Sequence, residues 1–202
     1  PAKRLTPTAQ YILLYHLQVE NLEGLSARDI SKKLPYSYES ITLGLTCLND
    51  LGLCQKVSEG TKSKIIQFSS KGKELWDKAA DYLIDPVEKR VYCDYLATES
   101  TFAKCNINAL SHYTWLNPEN SLMLMMSRKE LQGLITEKVL HNMNEFDGNV
   151  MIEVWKYPVV ALLGNDNEWV DKLSLAISLR DDDDPRVEGE IERLINELKW
   201  KD

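Results

Sequence analysis

The sequence holds no apolar run near the roughly 20 residues needed to cross a bilayer, so no membrane-spanning helix is expected. The basic opening Pro1-Ala-Lys-Arg-Leu-Thr is not followed by an apolar segment with a cleavage site. It therefore does not read as a signal peptide. Four cysteines, Cys47, Cys54, Cys93 and Cys105, form no C-x-x-C pair. They read as reduced thiols of a cytoplasmic protein and not as a disulfide framework. His16, His112 and His141 lie far apart, and none falls in an H-E-x-x-H or finger spacing. There is no G-x-S-x-G, no P-loop and no G-x-G-x-x-G. On these grounds no catalytic residue, metal ligand or cofactor is expected, and the chain reads as a non-enzyme. His16, on an apolar helical face, reads as a core residue. The acidic run Asp181 to Asp184 reads as favourable charge at a helix N-terminus ahead of Pro185, in preference to a cation site.

What is present is ordinary for a globular protein. The hydrophobic fraction is 44% and the charged fraction 27%, enough to bury a core. At 202 residues the chain allows one large domain or two small ones. Its net charge of −7 is unevenly spread. Residues 1–83 carry 11 Lys and Arg against 9 Asp and Glu, a net +2, whereas residues 84–202 carry 13 against 22, a net −9. A mildly basic part joined to a strongly acidic one suggests two domains with different partners. The Ile84-Asp-Pro86 stretch marks the boundary, giving domains at 1–84 and 85–202.

In the first part, Thr6-Pro7-Thr8 starts a helix carrying Ala9, Ile12, Leu13, His16 and Leu17 at helical spacing. Gly24-Leu25 fits a very short strand. Ser26-x-x-Asp29 caps a short helix that stops before Pro35. Ser37 caps a second helix with Ile41, Leu45, Leu48 and Leu51 as its buried stripe, closed by Gly52. Leu53 to Val57 and Lys64 to Phe68 read as strands flanking a Gly60 turn. Ser70 is expected to cap a further helix running through Leu83.

In the second part, Val87 to Tyr95 reads as a strand or extended connection, and Asn106 to Leu116 as a helix. Leu122 to Met126 reads as a buried strand, and Ser127-x-x-Glu130 as a capping box. Val150 to Lys156 alternates well enough to read as a strand. Val170 to Leu179 reads as a helix, and Asp184-Pro185 opens a last one reaching Leu198. The expected class is mainly α with α+β, an N-terminal winged helix-turn-helix followed by a small α+β domain.

That order of elements points to duplex DNA as a partner. The second helix of such a pair sets its first turns against base edges, here Ser37, Tyr38, Glu39, Ser40 and Thr42. The hairpin would supply phosphate contacts through Lys56, Lys62 and Lys64. The first helix would supply them through Arg28, Lys32 and Lys33. The helix expected to read bases carries no Arg or Lys on its leading turns, and winged helices also serve as protein-only modules. A protein adaptor without DNA binding is therefore the alternative. Trp155 and Tyr157, with Met123, Met125 and Met126, could line an apolar pocket but read more simply as core.

From Pro7 to about Leu83 the chain resembles the MarR-like bacterial winged-helix regulators. Leu25 to Leu34, Ser37 to Leu53, the hairpin and Ser70 to Leu75 carry the likeness. The resemblance implies that Ser37 to Leu51 reads DNA and that Ser58 to Lys64 forms the wing. Asn106 to Leu116, Val150 to Pro158 and Val170 to Leu175 are faintly similar to the C-terminal domains of AbiE-type antitoxin regulators. Together these imply a cytoplasmic repressor of its own operon, homodimeric on a two-fold site. Its acidic second domain would serve assembly or a protein partner.

Overall fold

The computed structural model of the protein describes residues 3–60 and 63–202. Among them, eight α-helices and seven strands in small sheets make the chain α+β. The elements group into two compact units. The first contains residues up to Ile84 together with Val160–Asn165 and Leu198–Asp202, and the second contains Asp85–Val159 and Asp166–Glu197. A single cut after residue 84 therefore misses two later segments that return to the first unit.

In the first unit, α1 (Pro7–Gln18) begins at Thr6, whose hydroxyl accepts from the Ala9 amide at 3.2 Å. Every residue from Ala9 to Leu17 is buried, which is more than the single stripe expected. Two of these residues are polar, and each is satisfied. The Gln10 amide donates to the Ile84 carbonyl at 2.9 Å and accepts from the Ile84 N–H at 2.8 Å. His16 Nδ1 accepts from the Leu22 N–H at 2.9 Å, and its ring stacks on Phe68 with centroids 3.7 Å apart. Burial lowers its pKa to about 4, so the imidazole is neutral.

Ser26 caps α2 (Ala27–Lys33), which ends at extended Leu34 before Pro35. Ser37 caps α3 (Tyr38–Asp50), whose buried residues are Ile41, Gly44, Leu45 and Leu48. Gly44 lets α1 and α3 approach closely, since a Cβ there would stand 2.8 Å from Ile12 Cδ1. Gly52, at φ +75°, supplies the left-handed residue after the helix. The strands β1 (Cys54–Glu59) and β2 (Ser63–Phe68) pair antiparallel, Lys56 opposite Ile66 and Ser58 opposite Lys64. Gly24 and Leu25 form no strand, but each makes one main-chain bond to Ile66, at 2.8 and 2.9 Å. The last helix of this unit, α4 (Gly72–Ala79), starts later than expected. Lys71 holds the cap position without a side-chain bond, and the Ser70 hydroxyl is buried with no partner among the described residues. A 3-10 turn, Ala80–Tyr82, ends the helix short of Leu83.

The second unit runs β3 (Val87–Cys93), β4 (Tyr95–Leu96), α5 (Asn106–Tyr113), β5 (Leu122–Met126), α6 (Arg128–Thr136), β6 (Leu140–His141), β7 (Val150–Trp155), α7 (Lys172–Ser178) and α8 (Pro185–Asn196). Its main sheet has the order β3-β7-β5, with β7 antiparallel to β3 and parallel to β5. The strand expected over Val150 to Lys156 is present as β7, and because it lies in the middle all six of its residues are buried. Val150, Ile152 and Val154 pack into a core with Val91, Leu124, Met126 and Leu131. Glu153 is fully buried and satisfied. It accepts from Arg90 Nε at 2.9 Å, Asn106 Nδ2 at 2.9 Å and Trp155 Nε1 at 3.1 Å. Ser127 and Glu130 form the expected capping box of α6. Three helices are shorter than anticipated: α5 stops at Tyr113, α7 spans only Lys172–Ser178, and α8 stops before Leu198.

Candidate nucleic-acid interface

The α2–α3 pair and the β1–β2 hairpin hold the residues singled out for DNA contact. On α2, Arg28 and Lys32 are exposed. The Arg28 guanidinium carbon lies 4.5 Å from the centroid of the Tyr38 ring, a cation–π contact from α2 to the first turn of α3. Lys33 is engaged differently. Its ammonium stands 3.3 Å from Glu20 Oε2, and Glu20 also accepts from the Tyr15 hydroxyl. The Tyr15 bond and then Lys33 hold the Glu20 carboxyl below its ordinary range. Lys33 is thus partly neutralised, unlike Arg28 and Lys32.

The hydroxyls at the start of α3 serve the helix first. Ser37 Oγ accepts from the Ser40 amide at 3.2 Å and donates to Ser40 Oγ at 3.1 Å. Thr42 donates to the Tyr38 carbonyl at 2.9 Å. Each retains acceptor capacity, but the hydrogens of Ser37 and Thr42 are committed locally.

The exposed side of α3 has a clear centre. Opposite the buried Ile41, Gly44, Leu45 and Leu48, the spacing i, i+4, i+7, i+11 places Glu39, Leu43, Thr46 and Asp50 on one outward ridge. Leu43 is 72% exposed. Leu43 and Thr46 follow the first turns, Ser37 to Thr42, where polar base-reading side chains are expected. The ridge bears two acids and no cation.

On the hairpin, alternation puts Lys56 and Lys64 on the same face, since the two stand diagonally across the Lys56–Ile66 and Ser58–Lys64 pairs. Lys62 lies outside the described residues. Among the described residues, no carboxylate forms an ion pair with Arg28, Lys32, Lys56 or Lys64. Both α2 and β1 pack against α3, so Arg28, Lys32 and Lys56 stand on elements in contact with that helix, whereas Lys64 lies on β2, which pairs with β1 and packs on α2.

Elsewhere, the other candidate sites serve packing or capping. Asp184 caps α8 and binds the Arg186 guanidinium at 2.9 Å. Among the described residues, no group of three or more His, Cys, Asp and Glu could hold a metal ion. Trp155 and Tyr157 are each 3% exposed; the Tyr157 hydroxyl meets Ser174 Oγ at 2.9 Å. All four cysteines are free thiols, and burial pushes the Cys54 thiol up to about 12. Among the described residues, no helix is long and apolar enough to cross a membrane. Comparison with known protein families, with curated proteins and with solved structures finds no match for this chain.

Proposed function

We propose that the first unit is a winged helix of the MarR-like kind that binds duplex DNA, and that the protein is a transcriptional repressor acting on its own operon. One observation carries this reading. Arg28, Lys32 and Lys56 stand on elements packed against α3, Lys64 stands on the strand paired with β1, and none of the four forms an ion pair with a carboxylate among the described residues. Unpaired cations on the elements around a candidate reading helix are what phosphate contact requires. Arg28, Lys32, Lys56, Lys62 and Lys64 supply affinity, and the start of α3 from Ser37 to Thr42 supplies base contacts. The −9 of residues 84–202 argues against a second DNA surface. That region is assigned to homodimer assembly or to a protein partner.

A second reading is favoured by a different observation. The outward ridge of α3 carries Glu39, Leu43 and Asp50 without a single Arg or Lys. Such a ridge suits a protein adaptor built on the same fold. A gel-shift titration separates the two, comparing DNA from upstream of the protein's own gene with random duplex. The repressor reading expects tighter binding to the upstream DNA. It also expects the Lys56→Glu/Lys64→Glu variant to bind every duplex at least about tenfold more weakly, with a shallower salt dependence. Equal binding to both duplexes, unmoved by charge reversal, would sink it. Recovery of a stoichiometric protein partner without DNA would then favour the adaptor.

A further inference from the structure

We infer that Leu43 is a specificity-determining residue that reads the C5-methyl group of thymine in the major groove. The inference rests on the DNA-binding reading above and deepens it. Leu43 is 72% exposed at the middle of the α3 ridge, where a groove-reading helix would meet base edges. The thymine methyl is the apolar group that base pairs present in the major groove, so an outward leucine there has one complementary target. The two ridge residues on either side of Leu43 fit the same role. One turn earlier, Glu39 offers an acceptor for cytosine N4. One turn later, Thr46 donates its hydroxyl hydrogen to the Thr42 carbonyl at 3.0 Å, which leaves its methyl and an acceptor oxygen for a base.

Charge beside Leu43 favours a nucleic acid over an apolar protein surface. Leu43 and Thr46 line a shallow depression of about 340 Å³ together with two cations, Lys3 and Arg4, and one acid, Asp50. The segment carrying these cations is tethered to α3 at one point and to the end of the unit at two. The Arg4 carbonyl accepts from Cys47 Sγ at 3.8 Å, Arg4 Nη1 donates to the Leu83 carbonyl at 3.1 Å, and Leu5 N donates to the Tyr82 carbonyl at 2.9 Å. The main chain at Arg4 is thus held against α3, and the depression beside the outward leucine carries more cations than acids, the balance expected where phosphates flank a base edge.

The test uses the full chain and a randomised duplex library. After selection, each thymine of the enriched duplex is replaced in turn by uracil, which keeps the base pair and removes only the methyl. At one or more positions, wild-type affinity should fall about fourfold, the effect of one buried methyl-sized group. Leu43→Ala should bind the thymine and uracil duplexes equally, with an unchanged melting temperature. If no position responds to loss of the methyl, or if Leu43→Ala keeps the response, the thymine assignment is overturned while DNA binding stands. A library that yields no enriched sequence also overturns it. If unselected duplex then fails to bind as well, the DNA reading falls with it.

Discussion

Arg28 and Tyr38 form a stacked pair, with the guanidinium carbon 4.5 Å from the ring centroid. The contact joins α2 to the first turn of α3 and fixes the direction of a cation that has no carboxylate partner among the described residues. A planar guanidinium suits this role, and a lysine would keep the charge but lose the stacked orientation. Two variants should therefore behave differently in DNA titrations over a range of salt. Under the proposed DNA reading Arg28→Ala removes a phosphate contact, so the slope of log affinity against log salt should shrink by about one. Tyr38→Leu removes the support and a base contact but no charge, so affinity should drop while the slope stays the same. Equal slopes in both variants would mean that Arg28 does not touch phosphate.

His16 makes the first unit sensitive to acid. Burial holds its folded pKa at about 4, against about 6.5 in an unfolded chain. Above 6.5 both states are neutral there and the residue adds no pH dependence. Between the two values the unfolded chain takes up the proton and the folded chain does not, so stability falls as pH drops. The full effect is on the order of 3 kcal/mol and levels off below pH 4. Urea titrations across this window should show the wild type losing stability more steeply than His16→Gln. Parallel slopes would contradict a neutral buried imidazole.

Local signals in the sequence were read well, and non-local ones poorly. Thr6, Ser26, Ser37, Ser127 and Asp184 all accept from a main-chain amide at the helix starts where they were expected. Such caps depend on three or four neighbouring residues. Ser70 failed because the same signal stood two residues ahead of the true start, and Lys71 took the cap position. The burial of β7 depends on strand order, which no window of sequence contains. The two-residue pair β4–β6 is too short to leave a periodicity. In the candidate interface, the cations of α2 and the hairpin were legible from residue type. The Lys33–Glu20 contact spans 13 residues and was not. Leu43 was recoverable, since Ile41, Leu45 and Leu48 already defined the opposite face. A leucine simply does not attract attention in a search for polar base readers.

Gly148 and Gly133 should respond to alanine in opposite directions. A Cβ on Gly148 would stand 2.3 Å from the Cys93 carbonyl oxygen, 2.8 Å from its carbon and 3.0 Å from its nitrogen. All three are main-chain atoms of β3, so no side chain can swing aside. Gly148→Ala should destabilise the protein by about 3 kcal/mol. Gly133 sits on α6 with nothing within 4 Å of a Cβ, and alanine there should stabilise by up to about 1 kcal/mol through helix propensity. Thermal melts of the two variants would check this, and a Gly148→Ala protein as stable as the wild type would refute the backbone contact.

The buried Glu153 carboxylate and Arg90 should be strongly coupled. Glu153 is 0% exposed and depends on one charged donor, Arg90, and two neutral ones, Asn106 and Trp155. Removing the guanidinium in Arg90→Met leaves a charge buried with incomplete compensation. The cost should be about 2 kcal/mol, at the low end for buried pairs because Arg90 is 37% exposed and water can partly replace it. Glu153→Met strands the Asn106 and Trp155 donors, which costs about 1–3 kcal/mol. Replacing both partners removes the uncompensated charge, so the double variant should be more stable than the sum of the two losses predicts. Urea denaturation of all four proteins measures this coupling. Additive losses would mean that the ion pair is not what keeps the carboxylate in the core.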